Sequence, residues 1–265
     1  ASTRAEVVNW AKEEYVLTAN INLDNNNWTP IGALKPFCGT FDGNGCTIYN
    51  LYVNTTDNSS TGLFGQIYGS TIKNIKVNKA TIKGHNKAGV ISGCNTCGKV
   101  EGCHVDDATV TVTTLKDNMG SHVGAIVGYL TADSGAASVE KCSVKNVTIT
   151  AFRDVAAVVG TATGNSKPTI KECYVENATV TADQLPAYSE GDKDGNAGVI
   201  VGRQASVTLV DDCDSADVVV IRKVDSAKEL AEAVADAVNG DTIYVAAGKG
   251  AIDMPYFQNK SLSFE

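Results

Sequence analysis

At 265 residues, with a formal net charge of −8 and arginine only at 4, 153, 203 and 222, the chain lacks the basic face that a nucleic-acid partner demands. Apolar residues at 43% and charged residues at 20% describe a globular chain long enough to bury a core. No apolar run reaches the ~18 residues of a helical membrane span. The absence of an initiator Met and of a signal segment reads as a mature or trimmed product.

The first residues carry a helix signal. Thr3 and Glu6 form a capping box, a hydroxyl followed three residues later by a carboxylate. Val7, Trp10 and Ala11 then make an apolar face that runs to about Tyr15. A strand, YVLTANINL, is expected over 15–23. Residues 1–46 thus read as a short capping helix with lead-in strands. Cys38 and Cys46 flank the turn-forming GTFDGNG, where they are candidate cross-strand neighbours, either bridged or free.

From 47 to 222 one pattern recurs. IYNLYV (48–53), IKNIKV (72–77), VEGCHV (100–105), VEKCSV (139–144) and IKECYV (170–175) align, and VDDCDS (210–215) follows loosely. Their fourth positions are Leu51, Ile75, Cys103, Cys142, Cys173 and Cys213. A second element follows in most units: TGLFG (61–65), AGVISG (88–93), VGAIVG (123–128), AAVVG (156–160) and AGVIVG (197–202). One such unit cannot bury its apolar face alone, whereas about six stacked units can. Equivalent side chains then form columns. Cysteine acts there as a small hydrophobe, and parallel Cβ vectors disfavour disulfides between stacked thiols. Asp107, Asn146, Asn177 and Asp217 lie four residues after the column, and Asn50, Asn74 and Gly102 lie one before it. These are types that tolerate left-handed backbone at sharp corners. Variable length falls in the loops 113–121 and 183–196.

Few residues suggest chemistry. Cys94 and Cys97 form a CxxC with Cys103 and His104 close behind. A zinc site needs four ligands and Cys103 is assigned to the core, so the pair reads as turn thiols or a local disulfide. Acidic residues at 106, 107, 211, 212 and 214 follow the repeat and read as corner and outward positions. No cofactor is expected; calcium at these acids is the one candidate. His85, His104 and His122 sit in different units without a nucleophile at motif spacing and read as solvated or loop residues. The alternating threonines of ATVTVTT follow ordinary strand alternation. Tyr129, Phe152, Tyr174 and Tyr188 are the aromatics that could line a glycan groove, without a site being assigned.

The last segment, 223–265, repeats the opening pattern: a capping box at Ser226 and Glu229, Leu230, Val234 and Val238 at helical spacing, Gly240 as a stop, then the strand TIYVAAG. It is either a C-terminal cap or the truncated start of a second β-helix, and its sequence resembles the opening of many pectate-lyase-like β-helices.

The GLFG, VGAIVG and AGVIVG elements, each paired with an I/V-x-x-C/I/L-x-V strand, resemble the GLUG repeat over about 20–222. NWTPIGALKPFCGTFDGNGCTIYNL (27–51) resembles the segment that precedes such repeats. The resemblance implies an all-β, right-handed parallel β-helix with short capping α-helices, of the kind found in large bacterial surface and adhesin-like proteins. Some immunoglobulin A metallopeptidases carry the repeat beside a protease domain. This chain has no HExxH, so that activity does not transfer. Two departures stand out: Val155-Ala156 where other units have a glycine second, and Ser215 where Val is usual. The expectation is a non-enzymatic extracellular or cell-surface solenoid within a longer polypeptide. It would be a stalk or binding module for a host protein or glycan, with the long loops as contact surface and Tyr188, Asp192, Lys193 and Asp194 as candidate contacts. The competing reading is a polysaccharide-degrading β-helix enzyme or a phage-fibre depolymerase fragment.

Overall fold

The structure, a computed structural model, describes residues 13–55, 60–112, 121–182, 197–204, 208–224, 242–245 and 263–264. The capping helices expected near 3–15 and 226–240 lie outside these residues, apart from Glu14–Val16, which is a strand. Among the described residues every regular element is a strand, and every strand pair is parallel. The chain winds as a right-handed parallel β-helix, the hand that parallel crossover connections take almost without exception.

Four sheets run along the stack, with seven, nine, four and five strands. Each regular coil visits them in the same order. A short strand such as Lys99–Glu101 is followed by a corner and a long strand such as His104–Val112. A connection of variable length leads to a brief bridging strand such as His122–Gly124, and a glycine-rich turn enters a strand of the five-stranded sheet such as Val127–Thr131. Because each strand pairs with its counterpart one coil away, the backbone groups of one coil are satisfied by its neighbours, at about 4.8 Å per coil.

Alternation of side chains resets once in each long strand. Asn50, Lys79, Asp107, Asn146, Asn177 and Asp217 all have φ between 50° and 61°. The left-handed residue shifts the phase by one, so Val105 and Ala108 both point inward, as do Val144 and Val147. The interior therefore receives several columns, among them Leu51–Ala80–Ala108–Val147–Ala178 and Val53–Ile82–Val110–Ile149–Val180. They join one continuous apolar core.

The register corrects the expected internal column at one end. Leu51 pairs with Ala80, not with Ile75. Cys46 holds the place beside Ile75: the N–H of Lys76 bonds to the Cys46 carbonyl, just as the N–H of His104 bonds to Ile75 and that of Ser143 to Cys103. The cause is corner length. Four residues, 43–46, separate Asp42 from Thr47 where two, 74 and 75, separate Lys73 from Lys76. The column runs Cys46, Ile75, Cys103, Cys142, Cys173, Cys213, and Leu51 belongs to the column five residues further along the coil.

Two expected boundaries also fall inside the stack. Glu14–Val16 and Ile21–Asn22, within the expected lead-in, already pair with the following coil, so the sheets begin before residue 47. At the other end Asp214–Val224 crosses the 222/223 division, Thr242–Val245 pairs with it, and Ser263–Phe264 pairs with that strand in turn. The long-strand sheet continues through the C-terminal segment without a break in its order.

The first corner shows how a thiol suits it. The residue before each column position is left-handed: Gly45, Asn74, Gly102, Lys141, Glu172 and Asp212. The thiols of Cys103, Cys142, Cys173 and Cys213 each lie 3.2–3.5 Å from the carbonyl two residues back in their own coil. Each also reaches a carbonyl of the preceding coil, at Ile72, Val100, Val139 or Ile170, 3.7–3.9 Å away. Burial pushes the Cys142 thiol well above its ordinary value, and contact with Cys142 followed by burial does the same for Cys173. All eight cysteines are free thiols. Cys38 turns to the Pro36 carbonyl and Cys46 to that of Leu17, so the flanking pair does not face itself.

Candidate functional site

The second corner lies between the four-stranded and five-stranded sheets, and glycine makes it. Gly65, Gly93, Gly128, Gly160 and Gly202 form one column. A Cβ on Gly160 would lie 2.2 Å from the Val123 nitrogen, and one on Gly128 2.7 Å from the nitrogen of Ala88 and from the carbonyl oxygens of Gly93 and His122. A Cβ on Gly89, Gly124 or Gly198 would lie 2.1–2.6 Å from a carbonyl oxygen of its own turn, and one on Gly62 2.2 Å from the Gly89 oxygen of the next coil. Backbone packs directly on backbone, with no room for a side chain. Ala156 replaces the first glycine in one coil and sits fully buried, paired with Gly124 and Gly198.

This tight approach brings the outer faces of two narrow sheets together along a polar seam. One bank carries Lys87 and His122, which are register partners, and Asp154, which directly precedes Val155, the partner of Val123. The other carries Tyr129, Thr161 and Arg203, partners in successive coils. Contacts cross the seam with a stagger of one coil. Lys87 Nζ stands 4.3 Å over the Tyr129 ring, a cation–π arrangement. The His122 ring meets the Tyr129 ring edge-on at 4.9 Å. His122 Nδ1 lies 2.7 Å from Thr161 Oγ1 and 3.2 Å from Asp154 Oδ2, and Arg203 reaches the same carboxylate oxygen at 3.9 Å. A Nδ1-protonated imidazole satisfies both neighbours and leaves Nε2 as an acceptor. Asp154 itself is left-handed at φ 51°. Its side chain is 1% exposed, and Oδ1 has no hydrogen-bond partner. Burial, reinforced by Asp133, raises the Tyr129 hydroxyl above its ordinary value, and burial raises the Cys94 thiol.

The residues singled out by sequence alone fare unevenly in space, and most lie elsewhere. Tyr188, Asp192, Lys193 and Asp194, with the rest of 183–196 and with 113–120, lie outside the described residues. Tyr129 lies in the seam, whereas Tyr174 is an exposed residue of the long-strand sheet. Of the three histidines only His85 lies in a connection, and none is highly solvated. His85 is buried, His122 belongs to the seam, and His104 bonds Ser143 Oγ at 2.7 Å across the long-strand sheet. Burial, aided by Lys76, holds His104 below its ordinary value. Cys94 and Cys97 face different partners, Thr96 and Ser134. Asp106 accepts from Asn78 and Asn146, an amide ladder on the outer surface. Sequence spacing missed the seam because its partners are distant in the chain: His122 and Thr161 are 39 residues apart. The available signal was the repeated glycine pair, which fixes where two outer faces converge.

Comparison with known proteins agrees with this geometry. The family model described as the GLUG motif matches residues 119–150, a span that holds His122, both glycines of one corner, Tyr129 and Cys142. Halomucin of Haloquadratum walsbyi (strain DSM 16790 / HBSQ001) is 31% identical over 133 residues, which is 46% of this chain and 1% of halomucin. A Bacteroides ovatus crystal structure named as an immunoglobulin A1 protease superposes with a TM-score of 0.59 at 14% identity, covering 95% of this chain and 76% of that one. The last likeness speaks to fold alone. The chain carries the GLUG motif on a β-helix.

Proposed function

We propose that this chain is a segment of an extracellular or cell-surface polypeptide, built as a stiff β-solenoid and serving as a stalk or binding module rather than as an enzyme. The carrying observation is the unbroken parallel order of the long-strand sheet, from Ile21–Asn22 through Ser263–Phe264. A fold whose coils bond only to adjacent coils extends by repetition and transmits load along its axis. The GLUG motif and the similarity to halomucin, of which the matched stretch is 1%, support a place within a longer surface protein.

The test is binding by the immobilised chain to a panel of host glycans and proteins, paired with antibody labelling of intact cells that make the parent polypeptide. Labelling without lysis and at least one saturable ligand are expected. Deletion of 183–196, which removes Tyr188, Asp192, Lys193 and Asp194, should abolish that binding while leaving the melting transition in place if this loop is the contact; unchanged binding moves the contact to the coils. Labelling only after lysis would sink the surface assignment. Release of unsaturated sugar from an acidic polysaccharide would replace the stalk reading with a lyase.

A further inference from the structure

The interior columns are open at the first coil. Tyr15 heads the column that continues through Phe41, Ile72, Val100, Val139 and Ile170. The last four are fully buried, whereas Tyr15 is 50% exposed. Ile21 heads the column of Ile48, Val77 and Val105, and is 38% exposed where those are 1–2%. Val16 and Leu34 of the same coil are exposed as well, so apolar exposure among the described residues concentrates at this end. The backbone is open there too. Glu14–Val16 and Ile21–Asn22 are the terminal strands of their sheets and each pairs on one side only. An unpaired edge above an uncovered core invites pairing with another chain, and solenoids close such ends with a terminal segment.

The same end holds a seat. A cleft of about 530 Å³ opens where the start of the first coil meets its close, walled by Glu13, Tyr15, Ile31, Pro36 and Phe37 among others. A row of rings leads into it from the core. Phe41 meets buried Phe64 edge-on at 5.3 Å, Phe64 lies 5.3 Å from Phe37, and Phe37 lies 5.8 Å from Tyr15, the half-exposed outer member. Chain continuity selects the occupant. Residues 1–12 join the first coil at Glu13, in the wall of the cleft, and carry Val7, Val8 and Trp10. Trp10 is three residues from Glu13, within about 10 Å of chain. Val7 and Trp10, three apart after the Thr3–Glu6 capping box, fall on one face of the helix expected there. By themselves these residues are too few for a further coil, since Glu14 and its register partner Thr40 are 26 positions apart. They can close the end without adding a turn. We infer that residues 1–12 fold back over the first coil as a plug, with the Trp10 indole in the cleft beside Tyr15 and Phe37. The indole extends the row of rings by one, and the plug keeps the first strands from pairing with a second copy of the chain.

Fluorescence of the whole chain is the first test. The chain has two tryptophans, Trp10 and Trp28, so the parent spectrum minus that of Trp10→Phe is the emission of Trp10. It should lie to the blue of a free indole and be shielded from acrylamide; emission at the solvent position with unhindered quenching overturns the inference. Trp10→Ala should lower the melting midpoint by about 5 °C, the loss of a buried ring, and Trp10→Phe should lower it less. Tyr15→Ala should lower it as well, but the double variant should fall short of the sum because both changes remove one contact. Additive shifts would take Trp10 out of the cleft. A chain lacking 1–12 should bind a hydrophobic dye and self-associate as concentration rises in sedimentation, while the parent stays monomeric and dark. A shortened chain that matches the parent in midpoint, dye binding and sedimentation overturns the plug. So does a parent that is already dimeric with Trp10 in solvent, which would put a second copy over the open end.

Discussion

The two corners of each coil solve the same problem by opposite means. At the corner before the long strand, a side chain fills the space: a thiol in four successive coils, and Ile75 in the coil before them. At the corner before the five-stranded sheet, the absence of a side chain is the solution, and backbone meets backbone where a Cβ would lie 2.2–2.8 Å from the nearest main-chain atom. The first corner is a packing problem with several answers of similar volume. The second is a contact problem with little latitude: Ala156 takes the first glycine's place in one coil, and the second place is glycine in all five. Substitution should therefore be graded at one corner and abrupt at the other.

The largest effect is expected at the glycine corner. Gly160→Ala forces its methyl against the Val123 nitrogen and should cost about 3 kcal/mol or more, since the opposing atoms are backbone and cannot rotate away. Urea unfolding followed by circular dichroism measures it. A loss under about 1 kcal/mol would mean that the corner relaxes and that the two corners are alike. At the thiol corner, Cys142→Ala should cost about 1 kcal/mol, from the loss of one buried heavy atom and the small cavity it leaves.

The residue before the thiol gives an opposite sign. Glu172 holds φ 54° at a position where another coil has Gly102 at 58°. A non-glycine residue is strained there by roughly 1–2 kcal/mol, so Glu172→Gly should raise stability by about 0.5–1 kcal/mol once chain entropy is counted. A fall in the midpoint would show that strain is relieved elsewhere in the coil. Alkylation sharpens the contrast without changing the sequence. In the native protein at mildly alkaline pH, iodoacetamide should label half-exposed Cys97 before Cys142 and Cys173, whose raised thiols carry little thiolate. Peptide mapping reads the order, and early labelling of Cys142 would contradict its placement in the core.

The smallest effect lies on the outside of the short-strand sheet. Lys99 Nζ bridges Glu101 and Glu140 at 3.0 and 3.2 Å. The hydrogen bond from Lys99 is the main cause that holds the Glu101 carboxyl below its ordinary value, against burial. A depressed carboxyl contributes stability above the ordinary Glu range, about pH 4.3, and that contribution is lost as pH falls through the folded value. Glu101→Gln should therefore flatten the acid limb of the stability profile by less than about 1 kcal/mol, because these side chains are 29% and 40% exposed and screened by solvent.

Legibility followed the same division. The stack could be read because each coil repeats both a strand and a glycine pair, and because Asp107, Asn146, Asn177 and Asp217 mark a left-handed position that few other residue types fill. The first coil was misread by its own regularity. IYNLYV imitates the later strand-and-corner pattern, yet it lies entirely within one long strand, and the true corner is the longer Gly43–Cys46. Asn50 accordingly belongs to the left-handed position inside the long strand and not to the corner. The seam was not legible because it is made by residues in adjacent coils, whose spacing depends on connections of irregular length. His122 looked like a loop residue only because its partner Asp154 is one turn of the solenoid away.

The parallel register has a consequence for how such a molecule acquires its length. A coil presents upward the same donors and acceptors that it receives from below, and its corners close on its own backbone and on the next coil's. A duplicated or deleted stretch of gene that encodes one whole turn would leave every remaining junction chemically intact. The length of the stack is then a heritable variable adjustable in steps of one turn, and the irregular connections are free to diverge while it changes.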